Sequence, residues 1–187
     1  MNLNELRRDC AVKQKRGIHF ILASVIIWAV LVAIQSTELP ILTKNLLTFC
    51  STAPLLPIAY VLSRPLNIDF QNASNPLTGL GVLFSINQML YLLIAVWAYA
   101  AVPDKMLMII AMIFGAHLLP YGWLYRSRIY SLFAVAIPIA ALVIGTYAGP
   151  AVLAGAMLLF ELVFSLLLHL ENRDLGAPAG PPPFQDA

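Results

Sequence analysis

The chain has 187 residues, of which 60% are hydrophobic and only 11% charged, with a mean hydropathy of +0.83 and a formal net charge of +2. A soluble domain carries about a quarter charged residues, so this composition excludes an ordinary soluble enzyme and leaves no room in the chain for a separate soluble domain. The small net charge likewise argues against a nucleic-acid surface, and nucleic acid is not expected among the partners.

No Asp, Glu, Lys or Arg lies between Arg16 and Glu38, Lys44 and Arg64, Asp69 and Asp104, Lys105 and Arg126, or Arg128 and Glu161. A hydrocarbon core of about 30 Å takes about 20 helical residues, and the roughly ten-residue alternating segments of a β-barrel are absent. The predicted fold is therefore all-α: a polytopic membrane protein of six transmembrane helices arranged as three hairpins, with the lipid bilayer as its first partner.

Residues 1–16 form a basic segment with Arg7, Arg8, Lys13, Lys15 and Arg16, expected as a short helix on the inner membrane surface. No small-residue cleavage site with a soluble chain follows it, so it is expected to be retained. The six-helix domain is predicted over 17–173. Span one covers about 17–34 and span two about 41–62, interrupted by Pro54 and Pro57. The loop 63–76 carries Arg64, Asp69 and turn-forming Asn72, Ser74, Asn75 and Pro76. Span three follows from about Leu77 to Val102, with Asn87 and Gln88 near its middle. Spans four, five and six run about 106–125, 129–147 and 151–170. The tail 174–187, rich in Pro, Gly and Ala, is expected to be disordered.

Positive residues in short connections fall on alternate sides: the N-terminus, Arg64, Arg126 with Arg128, and Arg173 on one, Glu38 and the Asp104/Lys105 pair on the other. By the positive-inside rule both ends are cytoplasmic. Laying Pro40 on Pro103, a shift of 63, also places 53–57 (APLLP) on 116–120 (AHLLP), which points to a parallel repeat of hairpins. Chance coincidence in apolar sequence is the competing explanation. Pro40, Pro103 and Pro150 each stand where a helix begins, a position that tolerates the missing N–H.

Polar side chains inside spans need a protein partner or water, which makes them informative. Glu161 lies near the middle of span six, and a carboxyl there costs about 3 kcal/mol unless neutral or paired, a property suited to a proton carrier. Ser165, His169 and Asn172 follow it at spacings expected to keep them on one helical face, so that Glu161, Ser165 and His169 form a candidate proton path. Thr78, Gly81, Ser85 and Gln88 form a second stripe. Lys44, Thr48, Ser51 and Thr52 form a third in span two. The candidate substrate site near the bilayer centre is Glu161, Asn87, Gln88, Ser51, Thr52 and the Pro54 to Pro57 break, where unwound backbone would line a cavity. The competing reading of the amides and hydroxyls is interhelical bonding, worth about 0.6 kcal/mol each.

No motif for a cofactor, a metal or a nucleophile is present: there is no HExxH, HxxxH or GxSxG. Cys10 and Cys50 have no paired spacing and are expected as free thiols. The alternative metal constellation is His117, His169 and Glu161. Ala29 with Ala33, Gly145 with Gly149 and Ala151 with Gly155 offer small-residue faces for a homodimer or a partner membrane protein.

The segments 39–50 (LPILTKNLLTFC) and 116–125 (AHLLPYGWLY), with 84–91, resemble a bacterial family of small multi-span membrane proteins of unknown function. The resemblance covers about 1–173 and implies a bacterial cytoplasmic membrane location, with no activity or site residues attached. In size and span number the chain is also similar to the substrate-binding subunits of energy-coupling-factor vitamin importers. The functional expectation is a small-solute or proton-coupled transporter or transport subunit, its solute unidentified, with a polar site near the bilayer midplane that includes Glu161. Two alternatives are an intramembrane enzyme acting on lipid through the His/Glu set and a non-catalytic sensor or assembly factor.

Overall fold

A computed structural model describes residues 2–173 and Leu175; the predicted tail otherwise lies outside the described residues. Among the described residues every regular element is helical: α1 Leu3–Lys13, α2 Ile18–Gln35, α3 Ile41–Thr52, α4 Leu55–Ser63, α5 Thr78–Ala101, α6 Met106–Ala116, α7 Leu118–Leu124, α8 Arg128–Tyr147 and α9 Pro150–Arg173, with one-turn 3-10 segments at Lys15–Gly17 and Pro103–Lys105. Six helical stretches are long and apolar enough to cross a membrane: Lys15–Gln35, Ile41–Ser63, Thr78–Ala101, Pro103–Leu124, Arg128–Tyr147 and Pro150–Arg173. These match the expected spans to within a few residues and fit a multi-pass membrane protein.

The helix ends follow local chemistry. Asn2 caps α1 by accepting from the Glu5 N–H at 2.9 Å while Glu5 accepts from the Asn2 N–H at 2.9 Å, satisfying two donors that the first turn leaves free. Pro40 caps α3, Pro103 opens the turn before α6, and Pro150 is the first residue of α9, as expected of a residue without an N–H to lose. Between α1 and α2 the chain turns through three consecutive left-handed residues, Lys15, Arg16 and Gly17. Only Gly17 adopts this freely.

The second and fourth apolar stretches are both interrupted. The second breaks at Ala53 and Pro54, as the proline pair predicts, because Pro54 and Pro57 cannot donate to the carbonyls one turn earlier. The fourth breaks at His117, three residues before Pro120. Under the shift of 63 residues, Pro54 and His117 coincide. By contrast α8 runs unbroken through Pro138.

The core lies among α2, α6, α8 and α9. Phe164 of α9 stacks on Phe133 of α8 with ring centroids 4.6 Å apart and meets Tyr130 edge-on at 4.9 Å. Leu31, Ile137, Leu153, Met157 and Leu168 are fully buried around them. Helices α6 and α8 approach closely where Gly115 faces Ile137 and Pro138 and where Gly145 faces Met108. Helix α5 is peripheral, resting on α6, α7 and the Pro103 turn; 6% of its most apolar stretch is buried, against 50% of the first.

Candidate functional site

Helices α2 and α9 form the most extensive contact in the molecule, and Glu161 sits inside it. The residue is 11 positions from Pro150 and 12 from Arg173, about 17 Å from either end at 1.5 Å per residue. Its side chain is 0% exposed. Ser24 Oγ of α2 is hydrogen-bonded to Glu161 Oε2, and it also lies 2.8 Å from the Ile21 carbonyl. Glu161 Oε1 is buried with no protein partner among the described residues. Apolar side chains otherwise enclose α9 here, with Met157 one turn before Glu161 and Phe164 and Leu168 after it, all buried. Ser24 escaped the sequence reading; a lone hydroxyl in an uncharged span is common, and only packing selects the one opposite Glu161.

The remaining candidates are distributed differently. At 100° per residue, a position four along a helix is turned by 40° and one eight along by 80°. The buried face of α9 therefore passes through Met157, Glu161, Phe164 and Leu168, whereas Ser165 is only half-buried and bonds to its own Leu162 carbonyl at 2.9 Å, and His169 is exposed. The expected path from Glu161 through Ser165 and His169 does not share one face. On α5 the stripe of Thr78, Gly81, Ser85 and Gln88 does face inward: Ser85 Oγ is 2.7 Å from Tyr121 Oη, which donates to the Gly81 carbonyl at 2.8 Å. Asn87, rotated 100° from Gln88, is exposed, and neither amide side chain makes a hydrogen bond among the described residues. Ser51, Thr52 and Pro54 are half-buried and Pro57 is exposed; Thr52 bonds to the Phe49 carbonyl within its own helix at 2.9 Å. The proposed central grouping of Asn87 and Gln88 with Glu161 is thus not assembled, because α5 packs on α6 and α7 at the rim.

The metal alternative fails on geometry. His117 Nδ1 lies 2.5 Å from the Phe114 carbonyl at the break in the fourth stretch, its ring packed between Phe114 and Tyr121. His169 is exposed and Glu161 is enclosed, and no group of three or more His, Cys, Asp or Glu side chains among the described residues is disposed to hold a metal ion. His19 is buried against Phe20 and Phe70, with neither ring nitrogen hydrogen-bonded among the described residues.

Two further polar groupings close the ends of the bundle. Where α2 meets α3, Gln35 Nε2 donates to Thr48 Oγ1 at 3.2 Å, Lys44 Nζ to the Gln35 carbonyl at 3.2 Å, and Asn45 Nδ2 to the Pro103 carbonyl at 2.9 Å. At the opposite end the basic segment, the 64–77 loop, the 125–127 turn and the end of α9 are tied together. Asp9 pairs with Lys13 at 2.8 Å and accepts from Asn75 at 2.8 Å and Asn72 at 3.2 Å. Burial pushes its carboxyl up, but those hydrogen bonds and the Lys13 charge outweigh it and hold Asp9 below its ordinary value. Arg16 donates to the Glu171 carbonyl at 2.7 Å, and Glu171 accepts from Ser127 Oγ at 2.5 Å and the Arg128 N–H at 3.1 Å. Cys10 is buried beside Asn72, and burial pushes its thiol up. Tyr125 donates to Gln14 at 3.0 Å, and its buried phenol is likewise raised. This belt arises from long-range pairings that no local motif marks.

A family model spans nearly all of this architecture, matching residues 3–171. The chain belongs to the family of unknown function DUF7010. The matched region takes in α1, the paired loop 64–77, both interrupted stretches and Glu161, so the features above lie within the extent of the DUF7010 model. No curated protein and no solved structure matches the chain.

Proposed function

We propose that this protein is a small-solute or proton-coupled transporter, or a transport subunit, of the bacterial cytoplasmic membrane, and that Glu161 is its proton-carrying group. The chain crosses six times as three hairpins with both ends cytoplasmic. This orientation is favoured by the basic residues: Arg7, Arg8, Lys13, Lys15, Arg16, Arg64, Arg126, Arg128 and Arg173 gather towards one end, with Lys44 and Lys105 at the other.

The observation that carries the reading is Glu161 itself, a carboxyl enclosed midway along a membrane-length helix with one oxygen bonded to Ser24 and the other without a partner among the described residues. A group held this way is retained at considerable cost, and ionisable residues at such depth mark ion and proton paths. Sliding of α9 against α2 would exchange the Ser24 bond for another environment, and the breaks at Pro54 and His117 give the neighbouring helices places to bend. A non-catalytic sensor or assembly factor is the second reading, favoured by the uncovered face of α5.

The test is thermal stability of purified wild type and Glu161→Gln across pH and against a solute library, with proton flux measured in liposomes. A ligand bound to the native state raises its melting temperature by mass action. A solute that stabilises wild type and not Glu161→Gln, with flux lost in the variant, is the expected result. No solute response, and identical pH profiles and flux for the two proteins, would overturn the reading.

A further inference from the structure

Helix α5 leaves most of its length uncovered, and one line along it has a regular composition. Leu83, Asn87, Leu90, Ile94 and Trp97 are all exposed, at 55% for Leu83, 59% for Leu90, 50% for Ile94 and 61% for Trp97. Their spacings are four, three, four and three residues, the a/d pattern that lets two helices keep one seam in contact by supercoiling. The buried side of the same helix, through Ala95 and Ala98, is engaged with Met106 and Ile110 and cannot serve.

Asn87 occupies an a position in this register, with Leu83 and Leu90 at d and Ile94 at a. Its carboxamide has no hydrogen bond among the described residues and points off the body of the protein near the middle of a 24-residue apolar helix. In hydrocarbon such a group finds no water. It carries both donors and an acceptor, so its best available complement is another carboxamide. Copies inserted in one orientation and related by a two-fold axis along the membrane normal set α5 parallel to α5, which brings Asn87 opposite Asn87. A single Asn at an a position is also what fixes a parallel, two-stranded register.

We infer that a second copy of this chain docks along Leu83, Asn87, Leu90, Ile94 and Trp97 of α5, forming a parallel homodimer registered by an Asn87 pair. The inference is independent of the transport reading. The adjacent line Ile86, Met89 and Leu93 is equally exposed and wholly apolar, and it faces lipid in this arrangement.

The experiment is disulfide cross-linking in native membranes of full-length chains lacking Cys10 and Cys50, each carrying one cysteine at 83, 87, 90 or 94, or at 86, 89 or 93. Alongside it, dimer dissociation is followed on dilution into lipid for wild type, Asn87→Gln and Asn87→Leu. Cross-linked dimers at 83, 87, 90 and 94 with little at 86, 89 and 93 are expected. Asn87→Leu should weaken the dimer about three- to twenty-fold, from the strength of one interhelical hydrogen bond, with Asn87→Gln close to wild type and the melting temperatures of all three equal once diluted to the monomer. A wild type monomeric at every dilution, cross-links favouring 86, 89 and 93, or capture of a different protein by the seam would each overturn it.

Discussion

A hydroxyl has one proton to give, and Ser24 Oγ stands within hydrogen-bond reach of two acceptors, the Ile21 carbonyl and Glu161. Both Ser24 contacts are satisfied if Glu161 Oε2 carries a proton and donates to Ser24, which then donates to Ile21, leaving Oε1 alone without a partner among the described residues. Glutamine can reproduce that donation through its amide, which is why Glu161→Gln separates proton handling from folding. At the molecule's surface the logic reverses. Asp9 is held below its ordinary value by Lys13, Asn75 and Asn72, so its contribution to stability is complete above the unfolded carboxylate value of about 3.9 and is lost as pH falls through the depressed folded value. The melting-temperature gap between wild type and Asp9→Asn should therefore be constant from neutral pH down to about 5 and close below about 4. A gap that widens in acid would contradict the assignment.

For whole helices, contact depends on which face is buried and how near two backbones can come. Gly115 lets α6 reach α8: a Cβ there would stand 2.6 Å from both Ile137 Cγ2 and Pro138 Cδ, and neither can swing away. Gly155 of α9 has nothing within 4 Å of the same added atom. Gly115→Ala should cost about 1–3 kcal/mol in unfolding experiments, as overpacking does, and Gly155→Ala should lie within about 0.5 kcal/mol of wild type; equal effects would show that close approach at Gly115 does not limit packing. Helix positions were legible in the sequence because charge-free runs of about 20 residues have few alternatives, and the break at Pro54 follows from proline chemistry. The facing of α9 was legible at Glu161 and not beyond it, since residues four and eight further on drift by 40° and 80° from the buried line. Asn87 and Gln88 read alike in sequence; only the position of α5 at the rim separates the exposed one from the half-buried one.

For the molecule as a whole, the asymmetry of charge and the belt joining α1, the 64–77 loop and the end of α9 give the bundle two unlike ends. In intact cells, a membrane-impermeant maleimide should label Glu38→Cys and should leave Gln71→Cys unlabelled until the cells are permeabilised. The opposite pattern would invert the proposed orientation. The candidate site was the least legible part, because Ser24 and Glu161 are 137 positions apart and meet only when α2 and α9 pack.

The interruptions at Pro54 and His117 fall at similar depth, about 20 Å from the starts of the stretches Ile41–Ser63 and Pro103–Leu124 at 1.5 Å per residue. Bilayers differ in thickness by several ångströms, and a helix that does not match must tilt, kink or deform the lipid. Two jointed helices would divide that adjustment between shorter pieces, α3 with α4 and α6 with α7, so that a thinner membrane could be met by folding at the joints. In such an arrangement the adjustment would fall on the jointed helices and not on the pair α2 and α9 that encloses Glu161.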